Sequence, residues 1–221
     1  MASNALMKCN SCAFRHVRQR PTFPTRLNRL HPRRTEGKQY AWEFAGTQIE
    51  SIRSIWGPLG SELVAGCRHH LEELLKAPAT EAWLAALHSD APEYEELYRD
   101  PAHGFVLLAH AEYAGLYRPP HDHGRGWVIY AVQQGEIEMA TYVRLQGPDG
   151  SVQLVKRDAT LLRPGQVKLF LPGDIHDTRC MTGPALLFRF TDRDLKKEDK
   201  EERRVTRYVE RDGVWTEKAA A

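Results

Sequence analysis

Two histidines one residue apart, His121 and His123, and a third, His176, behind Pro172-Gly173-Asp174, are the side chains best placed to do chemistry. On an extended strand, residues i and i+2 project to the same face. His121 and His123 can therefore reach one ion from one strand, and His176 completes the set if its strand lies opposite. Neutral imidazole suits zinc, copper, iron and nickel. Three histidines without a protein carboxylate leave coordination positions open for water, oxygen or substrate. Asp122 projects to the opposite face and falls outside the set. Pro119 and Pro120 stiffen the approach to the pair, and Gly124 and Gly126 let the chain bend after it. Each histidine alone reads as an ordinary strand residue. The pair, with a third behind a tight turn, carries the metal reading.

Other residues invite chemistry less firmly. Arg189 interrupts the apolar run Leu186-Leu-Phe-Arg-Phe190. Pointing inward, it can pair bidentately with a substrate carboxylate; pointing outward, it is a surface residue. Arg118, just before the histidine pair, is a second candidate for substrate binding. Gln133 and Gln134, read as turn residues, are either polar pocket residues or simply exposed. His69, His70 and His88 fall on expected helices and read as surface histidines. Cys9-Asn-Ser-Cys12 with His16 suggests zinc, but a structural zinc site needs four ligands and no second Cys-x-x-Cys exists.

These residues need a scaffold, and the apolar pattern describes one. Residues 42–100 read as helical. Phe44, Ile49, Ile52, Ile55 and Trp56 recur at three- and four-residue steps, as do Leu63, Val64, Cys67, Leu71, Leu74 and Leu75. Ser61 and Thr80 are expected N-caps, Pro78 a stop, and Pro92 the start of a further helix through Tyr94, Leu97 and Tyr98. From about residue 104 the period changes. Short strands are expected at 105–113, 115–118, 126–132, 136–145, 152–155, 159–162, 166–171, 175–180 and 185–191, with Gly and Pro between them. Such spacing without intervening helices indicates an antiparallel sandwich or barrel. Residues 192–204 read as a solvated charged connection, and Asp212-Gly213 as the turn of a last hairpin.

The chain has 221 residues, four cysteines and a net charge of +2. Four scattered cysteines do not make a disulfide scaffold, so a reducing, cytoplasmic setting is expected. No apolar run approaches the ~20 residues of a transmembrane helix. Residues 1–40 hold nine Lys/Arg against one Glu. Residues 1–41 thus form a basic arm, expected to be poorly ordered, that leaves organellar targeting open. The remainder is net acidic, which argues against nucleic acid as a partner.

At this point the sequence resembles the cupin superfamily of double-stranded β-helix barrels, over roughly residues 104–192. The first cupin motif, G-x5-H-x-H-x3–4-E-x6-G, is matched by Gly115, His121, His123 and Gly135, with Val128 where the glutamate belongs. The second, G-x5-P-x-G-x2-H-x3-N, is matched by Gly165, Gly173 and His176, with Leu171 and Cys180 replacing the proline and asparagine. The resemblance implies a mainly β fold, a cupin barrel over residues 101–221 preceded by N-terminal helices.

A cupin with three histidines and no glutamate is most similar to the cysteine dioxygenase and 3-mercaptopropionate dioxygenase group. That likeness implies non-haem Fe(II), or another divalent metal, a small thiol, O2, and oxidation to a sulfinic acid. Two departures qualify it. Val128 cannot supply the cysteine that animal cysteine dioxygenases cross-link to a tyrosine. Leu187, Arg189 and Thr191 stand where the group has a Ser-His-Tyr relay. Tyr130, on the face of Val128 by parity, is the expected replacement phenol and, with Arg189, the expected catalytic pair. The alternatives are a metal-dependent cupin lyase or isomerase with Tyr130 as acid or base, and a ligand-binding cupin without activity. The expected partners are a small molecule and O2, with no nucleic acid and no membrane, and a homodimer through edge strands is compatible with the fold.

Overall fold

A computed structural model of the chain describes residues 43–218. The readings placed on the basic arm, Cys9, Cys12 and His16 lie outside these residues. Three helices come first: α1 (Glu43–Ser54), α2 (Ser61–Leu74) and α3 (Ala82–Asp90). Nine strands follow: β1 (Glu95–Arg99), β2 (Val106–Glu112), β3 (Tyr117–His121), β4 (Val128–Gln146), β5 (Val152–Leu162), β6 (Val167–Phe170), β7 (Ile175–Thr191), β8 (Tyr208–Arg211) and β9 (Val214–Glu217). The expected mainly β, antiparallel class with N-terminal helices is what the chain adopts. One sheet runs β1-β2-β7-β4-β5, with β3 also paired to β7 and β6 to β4. The hairpin about Asp212-Gly213 forms as read, from β8 and β9, and both turn residues have positive φ.

Strand alternation sorts the residues into two cores. Leu107 and Ala109 of β2, Ile129 and Ala131 of β4, and Leu186, Phe188 and Phe190 of β7 face the helices. They pack there against Ile49, Ile52, Leu63, Cys67, Leu71, Leu84 and Leu87. The opposite parity faces the barrel interior: Val128, Tyr130 and Val132 of β4, and Ala185 and Leu187 of β7, join Ile137, Met139, Leu162 and Phe170. Residues 128–132 of β4 are apolar on both faces because the helices cover one face and the interior core packs on the other.

Several local expectations are corrected. Residues 95–99 are not helical. They form β1, an edge strand paired antiparallel with β2, and Tyr98 packs on Phe105 at 5.8 Å between ring centroids. Pairing with the sheet overrides the weak helical pattern after Pro92. The segments 126–132 and 136–145 belong to one strand, β4, as do 152–155 and 159–162 in β5 and 175–180 and 185–191 in β7. Gly135 does not end β4 but bends it: φ is +79° and the register against β7 shifts around it. Gly60 and Glu81, rather than Ser61 and Thr80, occupy the N-cap positions of α2 and α3, without side-chain caps. The charged connection after β7 contains a helical turn, Lys197–Glu201, whose Glu198 is 2% exposed. Arg125 and Arg193 hold that carboxylate at 2.8 and 3.4 Å.

Candidate metal centre

His121 ends β3 and His176 is the second residue of β7, and the two pair directly across the ladder. His123 lies two residues beyond β3, so an extended loop rather than the strand itself keeps it on the same side. One imidazole nitrogen from each of His121, His123 and His176 falls within 4.8 Å of the others. The Nε2 atoms of His123 and His176 are 3.4 Å apart. Two nitrogens each about 2.1 Å from an ion and set at a tetrahedral angle have about that separation. His121 Nδ1 is 2.8 Å from the Pro119 carbonyl oxygen. A carbonyl only accepts, so Nδ1 donates and the lone pair of Nε2 is left for an ion. Pro119 thus fixes the tautomer of its neighbour's ring. Among the described residues no carboxylate joins the cluster. The donor set therefore fits a divalent metal that accepts imidazole nitrogens.

The surroundings keep these rings neutral and in place. Burial lowers the pKa of all three histidines. Phe170 stacks on His176 with centroids 3.8 Å apart and planes inclined by 19°. Asp177, the next residue, projects to the other face of β7 and is buried. It accepts hydrogen bonds from Tyr142 Oη at 2.7 Å, Tyr117 Oη at 3.1 Å and the Ala140 amide at 3.0 Å. These bonds tie β3, β4 and β7 together beside the ligand. Burial and the Asp177 carboxylate push the Tyr117 phenol up to about 12. Asp122 Oδ1 accepts from the Gly124 and Thr206 amides, which orders the loop carrying His123. As expected, Asp122 lies outside the cluster.

A cavity of about 500 Å³ is lined by His121, Tyr130, Arg189, Arg118, Arg207 and Tyr208. Arg189 therefore takes the inward option, opposite Tyr130 in the β4–β7 register and sharing the interior parity of Leu187. The Tyr130 ring centroid is 5.4 Å from that of His176 and 6.4 Å from that of His123. Burial raises the Tyr130 pKa, so the phenol keeps its proton at neutral pH. Arg118 also lines the cavity, with Nε donating to Glu112 Oε1 at 3.1 Å. Val128 is fully buried in the interior core. Gln133 and Gln134 sit within β4 rather than in a turn and do not line the cavity. His69 is exposed, and His70 and His88 are half-buried on α2 and α3, with His70 bonded to Gln48.

Cavity residues that sequence reasoning missed include His110, Glu112 and Thr178. A signal was present for two of them. His110 and Glu112 stand at i and i+2 in the otherwise apolar Val106-Leu-Leu-Ala-His-Ala-Glu112, so both polar groups share one face.

No protein-family model matches the chain, and no curated protein does either. Among solved structures, it is similar to KdgF from Halomonas sp., at 19% identity and a TM-score of 0.34, covering 44% of this chain and 74% of that one. It is similar as well to the cupin domain of Schizosaccharomyces pombe Cnp3, at 14% identity and a TM-score of 0.36, covering 49% and 69%. A cupin superfamily protein from Desulfitobacterium hafniense aligns at 16% identity and a TM-score of 0.35, covering 46% and 76%. The reading of the site rests on this chain's own geometry.

Proposed function

We propose that the chain is a metal-dependent dioxygenase of the cupin type that oxidises a small thiol-bearing acid to its sulfinate. The observation that carries this reading is the donor set: three imidazoles within 4.8 Å and no carboxylate among them. Fe(II), when bound by His121, His123 and His176, supplies positions at which O2 and a thiol react, R–SH + O2 → R–SO2H.

The chain's residues supply the rest. Arg189 orients the substrate by pairing with its carboxylate, with Arg118 as a second cation on the same wall. Tyr130 donates a hydrogen bond from its phenol toward the reacting end, in the role a relay would otherwise fill. Val128 adds an apolar group to the interior core and offers no ligand atom. Phe170 and the interior core keep the pocket dry on its far side, which strengthens each charge interaction within it. In the lyase reading Tyr130 acts as acid or base, and its raised pKa favours the acid role.

Oxygen uptake by the iron-loaded protein tests the proposal. A panel of small mercapto-acids is expected to drive O2 consumption, with one sulfinate formed per O2. Anaerobic turnover of any small acid would instead support a lyase, and binding without product would support a ligand-binding module.

A further inference from the structure

Four buried polar atoms of residues that line the large cavity have no hydrogen-bond partner: His110 Nε2, Glu112 Oε2, Thr178 Oγ1 and Arg189 Nε. Their residues are not surface groups. His110 is 8% exposed, Glu112 4% and Thr178 3%. Buried polar atoms in native proteins are paired, and a cluster of exceptions on one cavity wall calls for a partner inside the cavity.

The hydrogen-bond sense of each atom follows from its other contacts. His110 Nδ1 is 3.0 Å from the Glu93 carbonyl oxygen, which can only accept. Nδ1 therefore carries the proton and Nε2 presents a lone pair. Burial reinforces this, holding the ring's pKa down to about 3. Glu112 Oε2 is a carboxylate oxygen whose twin is already taken by Arg118, so it too accepts. His110 and Glu112 are two residues apart on β2, so both side chains leave the same face of the strand. Thr178, which faces Arg118 across the β3–β7 ladder, adds a hydroxyl beside them. Arg189 Nε only donates, and the Thr178 hydroxyl can donate or accept.

We infer that His110, Glu112 and Thr178 form a subsite for a hydrogen-bond-donating group, an amine or a hydroxyl, carried by the same small acid whose carboxylate meets Arg189. The substrate class is thereby narrowed from any small acid to one with a donor near its carboxylate, such as a 2-amino or 2-hydroxy acid. This deepens the proposed function, on which it rests only for the identity of the reacting end. The subsite itself needs no metal.

Isothermal titration of the full chain with matched acids tests it, once metal-loaded and once after chelation. The pairs are cysteine against 3-mercaptopropionate and serine against 3-hydroxypropionate, with 2-hydroxy-3-mercaptopropionate as the hydroxyl probe. Wild-type protein is expected to bind the donor-bearing member at least about tenfold more tightly, before and after chelation. The shape-conserving variants His110→Phe, Glu112→Gln and Thr178→Val are expected to shrink that preference, to about twofold or less when His110→Phe and Glu112→Gln are combined. Their affinity for the donor-free member should stay within about twofold of wild type. Wild-type protein that binds both members of each pair equally, or binds neither member of either pair, overturns the inference. A protein that holds no metal yet shows the preference keeps the subsite and loses the dioxygenase reading. One that holds metal without the preference does the reverse.

Discussion

Arg189 shows how much a single side chain decides here. It shares the interior parity of Leu187, and its register partner Tyr130 stands next to the histidines. Replacing it with methionine removes a charged donor while keeping the stem. Such bonds are worth about 1.5–3 kcal/mol, so small carboxylic acids should bind roughly 10- to 100-fold more weakly to Arg189→Met. Titration calorimetry checks this, and unchanged affinity would remove Arg189 from the site. His110 makes a second prediction at this scale. Burial, reinforced by Arg189, Arg118 and Lys196, holds its pKa at about 3 against about 6.5 in an unfolded chain. Between those values the unfolded state binds the extra proton, so stability rises with pH. This contribution is complete above pH 6.5 and is lost as pH falls toward 3, by up to about 1.4 kcal/mol per pH unit. Urea unfolding at pH 7, 6 and 5 should show a shallower acid loss in His110→Phe than in wild type, and parallel profiles would contradict the assignment.

At the level of elements, the bend in β4 lies between the stretch that pairs with β6, residues 128–131, and the stretch that pairs with β5, residues 137–146. Gly135 makes the bend at φ +79°, and a Cβ there would meet the Thr182 carbonyl oxygen at 2.7 Å and Ala185 Cα at 2.8 Å. Gly135→Ala combines a left-handed conformation with a backbone clash, and should cost about 1–3 kcal/mol in thermal or chemical unfolding. A variant as stable as wild type would show that the bulge relaxes freely. The same bend explains part of what the sequence hid. The glycine was legible as a break in the pattern, but a break and a bulge leave the same local trace. Only the β4–β7 register tells them apart. The Tyr94–Tyr98 segment carries a helical pattern in sequence because its edge pairing with β2 is a tertiary event that its own residues do not encode. By contrast, the three histidines were legible at once, since a pair at i, i+2 and a third behind Pro-Gly constrain geometry locally. Arg189's direction was not, because parity along β7 has no reference until the helices choose a face.

The described residues form a bent sheet with helices on one side and a closed, partly polar interior on the other. No helix among the described residues is long and apolar enough to cross a membrane. The helices contribute no residue to the large cavity, and their role is to cover the outer face of β2, β4 and β7. Leu71, 1% exposed at that interface, tests the role. Leu71→Ala should cost about 2–5 kcal/mol of stability in denaturant unfolding while leaving metal content unchanged. Loss of metal in a folded Leu71→Ala protein would mean that the helices shape the site as well as cover it. The central claim is the metal centre itself. Elemental analysis of protein purified without chelators tests it most directly. The account predicts about one transition-metal ion per chain, iron under iron-replete expression, and almost none in folded His121→Ala, His123→Ala and His176→Ala variants. Folded wild-type protein that takes up no metal, or variants that retain it in full, would contradict it.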